Sequence, residues 1–171
     1  MKKSAFKIFA CVVVLLACGV NKVSAQASAT ATATATIITP ITITKASDMN
    51  FGNVAVQAAV AGTVIMSPAG VRSATAGVTL PGTSGTVSAA SFTVNGQAGY
   101  TYAITLPVTL TINSGVNNMI VNTFTSTPTA IGNLTGGTES LTVGATLNVG
   151  AAQAPGVYTS ATPFTVTVNY N

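Results

Sequence analysis

The sequence predicts an all-β fold, a single β-sandwich preceded by an extension strand, on three observations. Apolar residues recur at every second position through most of the chain, the period of a strand with one buried face. Turn residues such as Asn95-Gly96, Gly136-Gly137 and Pro155-Gly156 interrupt these runs at short intervals. No window spaces its apolar residues three and four apart over a helical length, so many short strands are left to pack as one sandwich. Only 5% of residues are charged, and the alternate positions are filled mainly by Thr, Ala, Gly and Asn.

Residues 1–25 read as an export signal. Lys2, Lys3 and Lys7 form a basic start, Ile8 to Ala17 a short apolar run, and Val23-Ser24-Ala25 a signal-peptidase site ahead of Gln26. The apolar run is too short for a stable membrane span. An alternative lies within it: Leu15-Leu16-Ala17-Cys18, followed by Gly19, resembles a lipoprotein-processing box whose cysteine would carry lipid. The better-formed site at Ala25 favours ordinary cleavage. The formal net charge of +4 belongs to this signal. Beyond residue 25, Lys45 and Arg72 stand against Asp48 and Glu139, a net charge of zero. Two isolated cations cannot displace the counterions of a nucleic acid. Both cysteines, Cys11 and Cys18, also precede residue 26, so export into an oxidising compartment brings no disulfide.

The elements follow in order. Residues 26–36 form an N-terminal extension in which Ala alternates strictly with Ser28 and then Thr from Ala27 to Thr36, and Ala29, Ala31, Ala33, Ala35 and Ile37 share one face. Ten such residues reach about 33 Å when extended. The sandwich is assigned to 37–171, opening with a strand from Ile37 through Ile43. Shorter strands are expected at Phe51 to Val56, Thr63 to Met66, Val87 to Val94 and Met119 to Phe124. Tyr100, Tyr102, Ile104, Leu106, Val108, Leu110 and Ile112 define one long apolar face. Pro107 falls on its outward register, where the strand should be bulged, broken or at an edge. Asn95-Gly96, ahead of this run, suits a hairpin turn. Leu141 to Val149 alternates with Thr142, Gly144, Thr146 and Asn148. Phe164, Val166, Val168 and Tyr170 close the chain.

The same residues argue against catalysis and ligand chemistry. Hydrolytic sites need a base to activate the nucleophile, and beyond residue 25 there is no His and no Cys, only Asp48 and Glu139. Both read as solvated charges, Asp48 at a turn beside Lys45 and Glu139 at a strand entry after Gly136-Gly137-Thr138. Zinc and copper lack their usual ligands, and no clustered carboxylates suit calcium. There is no glycine-rich phosphate loop. The expectation is therefore no enzyme, no metal and no cofactor. Tyr100, Tyr102, Phe164 and Tyr170 fall on apolar registers, which favours packing over a sugar-binding platform.

Phe51-Gly52-Asn53-Val54 after a first strand resembles the phenylalanine–glycine turn of spore-coat-U-like and chaperone–usher pilin domains. Ala154-Pro155-Gly156-Val157-Tyr158, followed by Phe164 to Asn171, is similar to a pilin C-terminal strand with its penultimate tyrosine. Leu141 to Val149 resembles an uncharacterised family of secreted bacterial proteins related to these. The likeness covers most of residues 30–171. It implies an immunoglobulin-like sandwich lacking one strand, assembled by donor-strand exchange. On that resemblance Ala29, Ala31, Ala33, Ala35 and Ile37 form the donor strand, and Phe164, Val166, Val168 and Tyr170 line the acceptor groove. The implied partners are copies of the chain or related subunits, a periplasmic chaperone and an outer-membrane usher, with no nucleic acid and no small-molecule substrate. Two departures stand out: there is no early-strand cysteine pair, and the donor face is built of alanines.

The expected function is thus a structural subunit of a bacterial surface fibre, reaching the cell surface through the periplasm. The alternatives are a monomeric secreted or lipid-anchored surface domain and, third, a carbohydrate-binding module.

Overall fold

The computed structural model describes residues 25–171. The chain divides into two units, Met1–Thr36 and Ile37–Asn171. The export signal predicted over 1–25 and the Cys18 box lie outside the described residues, apart from Ala25. Of the first unit, residues 25–36 are exposed and carry no strand.

The second unit is an all-β sandwich. Its strands are β1 (Thr42–Ser47), β2 (Ala55–Val56), β3 (Gly62–Met66), β4 (Arg72–Ala76), β5 (Val78–Thr79), β6 (Ala90–Asn95), β7 (Thr101–Thr105), β8 (Thr109–Ser114), β9 (Asn117–Thr127), β10 (Ile131–Asn133), β11 (Thr138–Val149) and β12 (Thr167–Tyr170). Every strand pair is antiparallel. The hub is β11. One of its edges pairs with β6 over Thr138–Val143 and then with β3 over Ala145–Val149; its other edge pairs with β9. β1 extends the sheet beyond β6, β4 beyond β3 and β8 beyond β9. A second sheet has the order β10-β7-β12, with β12 close to β1 and β10 close to β11.

Alternation along β11 explains its position. Leu141, Val143, Ala145, Leu147 and Val149 are buried, and the intervening Thr142, Thr146 and Asn148 are half-covered. Its first half shares a core with Val94, Tyr102, Leu134, Val166 and Val168; its second half shares another with Val64, Val78 and Val121. Phe124 packs against both cores. It is aimed there by a bulge in β9 opposite Gly144–Thr146, where Thr123 takes φ 49°.

β3 ends and β6 begins on the same edge of β11, opposite Ala145 and Val143 respectively. Gly144 lies between these positions, and the departing chain at Met66–Pro68 crosses directly over it. A Cβ at Gly144 would overlap the Met66 carbonyl oxygen and the Ser67 backbone. Gly144→Ala is therefore expected to cost about 2–3 kcal/mol, read as a lower urea midpoint at unchanged slope. Gly136→Ala, at a turn where a Cβ meets nothing within 4 Å, is the control. Equal midpoints for the two variants would show that the crossing chain simply moves away.

Several expectations are corrected. The strand predicted from Ile37 to Ile43 begins only at Thr42, because Pro40 has no N–H for a ladder. The long Tyr100–Ile112 face is broken at Leu106–Val108, where the chain leaves the β10-β7-β12 sheet for the larger one. Val108, at the break, is 84% exposed, and Tyr100, just ahead of β7, is 44% exposed, whereas Tyr102 is fully buried. Asn95-Gly96 is not a hairpin turn: β6 and β7 lie in different sheets, and neither residue has positive φ. The Phe51 and Phe164 runs are strands only at Ala55–Val56 and Thr167–Tyr170. A hairpin forms instead at Asn113-Ser114-Gly115, closing β8 onto β9 through Gly115 and Val116. β4, β5 and β10 were not predicted from the sequence.

Candidate functional site

Among the described residues, β1 and β12 are each paired on one edge only, β1 with β6 and β12 with β7, and the two strands come close to one another. The polarity of the β12 edge follows from its ladder. Asn171 N donates to Thr101 O, while Ile104 N donates away from β12 to Ala130 O. Alternation then assigns the backbone groups of Thr167 and Asn169 to β7 and leaves the N–H and C=O of Val168 and Tyr170 facing the open edge. Such an edge is a template for an added strand.

Of the four residues predicted to line a groove here, Val166 and Val168 are each only 7% exposed and belong to the chain's own core. Phe164 is half-buried, its ring 6.5 Å from Phe92 and 5.3 Å from Phe124. An open cleft of about 470 Å³ continues from Phe164 between the segments 105–110 and 162–167, with Leu106, Pro107, Leu110 and Pro163 among its walls. The predicted donor residues Ala29, Ala31, Ala33 and Ala35 are exposed, and Ile37 is 95% exposed.

Tyr170, at the end of β12, sits in a socket. Its ring packs edge-on against Tyr100, with centroids 5.7 Å apart. Its hydroxyl donates to Thr39 O at 2.7 Å and accepts from Gln97 N at 2.6 Å. Gln97 Oε1 accepts in turn from Thr39 N and Thr39 Oγ1, at 3.3 and 3.2 Å. Gly96 makes the approach feasible, since a Cβ there would occupy the place of the Tyr170 hydroxyl. Sequence reasoning missed Thr39 and Gln97, ordinary polar residues 58 positions apart.

The few charged groups hold turns. Lys45 Nζ and Asp48 Oδ1 are 2.7 Å apart and exposed, a pair of small energetic value. The Arg72 guanidinium donates to the carbonyls of Phe51 and Asn53, clamping the Phe51-Gly52-Asn53 turn. Glu139, expected as a solvated charge, is half-buried and accepts from Asn133 N at 2.7 Å. Among the described residues no group of three His, Cys, Asp or Glu could hold a metal.

Tyr102 is fully buried, and its hydroxyl has no partner in hydrogen-bonding geometry. Burial first, and then the Glu139 carboxylate nearby, push its ionisation well above the ordinary tyrosine range. The folded state thus holds this proton more tightly than the unfolded chain. The resulting stability is complete below about pH 10 and is lost as pH rises further. Tyr102→Phe is expected to change stability at neutral pH by less than about 1 kcal/mol, because no hydrogen bond is lost. It should also reduce the loss between pH 10 and 12 in urea titrations. A large deficit at pH 7 would show that the hydroxyl bonds to Glu139 in solution.

Residues 41–170 match a protein family described as a domain of unknown function, DUF4402. No curated protein and no solved structure matches the chain.

Proposed function

We propose that this chain, which belongs to the DUF4402 family, is a non-catalytic structural subunit of a bacterial surface fibre, exported through the periplasm and polymerising by strand addition. In this reading the segment from Ala29 to Ile37 of one copy pairs with the open edge of β12 in the next, in a pilin-type manner. A periplasmic chaperone and an outer-membrane usher are the partners the pilin resemblance implies.

The observation that carries the reading is the β12 edge itself. It presents unpaired backbone groups at Val168 and Tyr170, close to another open edge at β1. The alternating arm supplies a strand of about 33 Å. That exceeds the four residues of β12. The alanines of the arm, a departure from large pilin donors, suit this edge. Val166 and Val168 already fill the core beneath it, so an added strand needs backbone bonds and small side chains instead of deep anchors.

The test is expression of the full chain with export. Fibres seen by electron microscopy and a heat- and detergent-resistant ladder are expected, whereas a monomer at every concentration would refute assembly. The burial of Val166 and Val168 within their own domain favours one other reading, a self-sufficient monomeric surface domain, and that outcome would support it.

A further inference from the structure

We infer that Tyr170 is a positioning residue that directs the N-terminal arm away from its own β12 edge and toward a second copy of this chain. The inference rests on the fibre reading above and addresses how the arm chooses its acceptor.

β12 ends at Tyr170, and β1 starts three residues after Thr39, which Tyr170 holds. Any segment ahead of Thr39 that filled its own open edge would have to reverse between Ile38 and Ile41 and run back beside β1. A two-residue hairpin there would need positive φ at Thr39, which its β-branched side chain disfavours, or at Pro40, whose ring forbids it. A wider reversal needs Thr39 free to turn. Its amide and hydroxyl are held by Gln97 Oε1 and its carbonyl by Tyr170 Oη. All three polar groups of this one residue are thereby engaged, and Tyr170 Oη also accepts from Gln97 N, closing the set.

The Tyr170 ring is itself fixed by Tyr100 and by the space over Gly96. The clamp therefore sits on a formed strand end and needs no partner to assemble. Self-insertion would break these bonds; insertion into another copy leaves them intact. A ligand or strand shifts such an equilibrium only through bonds that differ between the two states.

The experiment uses the full chain carrying Tyr170→Phe, which keeps the ring and removes the hydroxyl, and separately Gln97→Ala. At concentrations where the unaltered protein is monomeric, hydrogen exchange over residues 26–36 is measured; at higher concentrations, polymer yield. Both variants should protect the arm and lower the polymer yield by roughly tenfold, the factor expected from a few hydrogen bonds lost from one state. Arm protection is a readout that simple loss of stability would not produce. Should Tyr170→Phe fail to fold, Gln97→Ala decides. If both variants polymerise normally with an unprotected arm, the clamp does not direct it. If instead removal of residues 26–36 leaves polymer yield unchanged, the fibre reading has failed, whichever way the clamp variants behave.

Discussion

Removal of residues 26–36 is expected to leave a folded domain that forms no fibres. Residues 25–36 are exposed and carry no strand, so the fold should lose little when they go. The thermal midpoint of the truncated protein should stay close to that of the full chain. Its polymer yield should fall to background, because an acceptor edge without a donor strand can grow nowhere. A second consequence separates this mechanism from general surface stickiness. The truncated subunit keeps β12, so it should accept one arm and then offer none. Added to the full chain, it should shorten fibres in proportion to its molar share. Long fibres built from the truncated protein alone would show that the arm is not the donor.

Much of the architecture is legible in the sequence because period-2 alternation reports burial directly. Leu141 to Val149 alternates without interruption, and it becomes the strand that both cores share. Alternation does not report which sheet a strand joins. From Tyr100 to Ile112 the pattern runs on across Pro107, yet the chain changes sheets there, turning Val108 to solvent while Tyr102 is fully buried. Asn95-Gly96 misleads for a related reason: the pair permits a hairpin, but the strands on either side have other partners. The Gly96 position serves the Tyr170 hydroxyl instead. At the candidate site, the alternating residues Phe164, Val166, Val168 and Tyr170 were visible, and so was the arm. What stayed hidden was how completely Val166 and Val168 would be buried by their own domain, since an apolar side chain looks the same whether its core or a neighbour covers it. The clamp at Thr39 could not be read at all. It depends on the ends of β6 and β12 meeting the root of the arm, a long-range coincidence with no local signature.

The acceptor edge can be tested separately from the core beneath it, because adjacent residues of β12 direct their amides to opposite sides. Asn169 is opposite Ala103 in the β7 ladder, while Val168 turns its N–H to the open edge. Proline removes an amide proton wherever it is placed, and sheets tolerate it on an edge strand when the lost N–H faced outward. Val168→Pro should therefore fold, at a cost of about 1–2 kcal/mol for altered packing and backbone fit. Asn169→Pro breaks a ladder bond and leaves a carbonyl of β7 unpaired, and should cost about 3 kcal/mol or more. The folded Val168→Pro subunit should no longer accept a strand, so it cannot polymerise alone. Its arm is intact, however, and can still enter the edge of another copy. Mixed with the subunit lacking residues 26–36, it should give a one-to-one dimer and nothing longer, since one supplies only a donor and the other only an acceptor. That dimer should be visible by light scattering and resist detergent, as expected of the proposed fibres. If Val168→Pro assembled like the unaltered chain, strand addition would have to occur elsewhere, with β1 the next open edge to examine. If the two variants never associated, neither the arm nor the β12 edge would be part of a subunit junction.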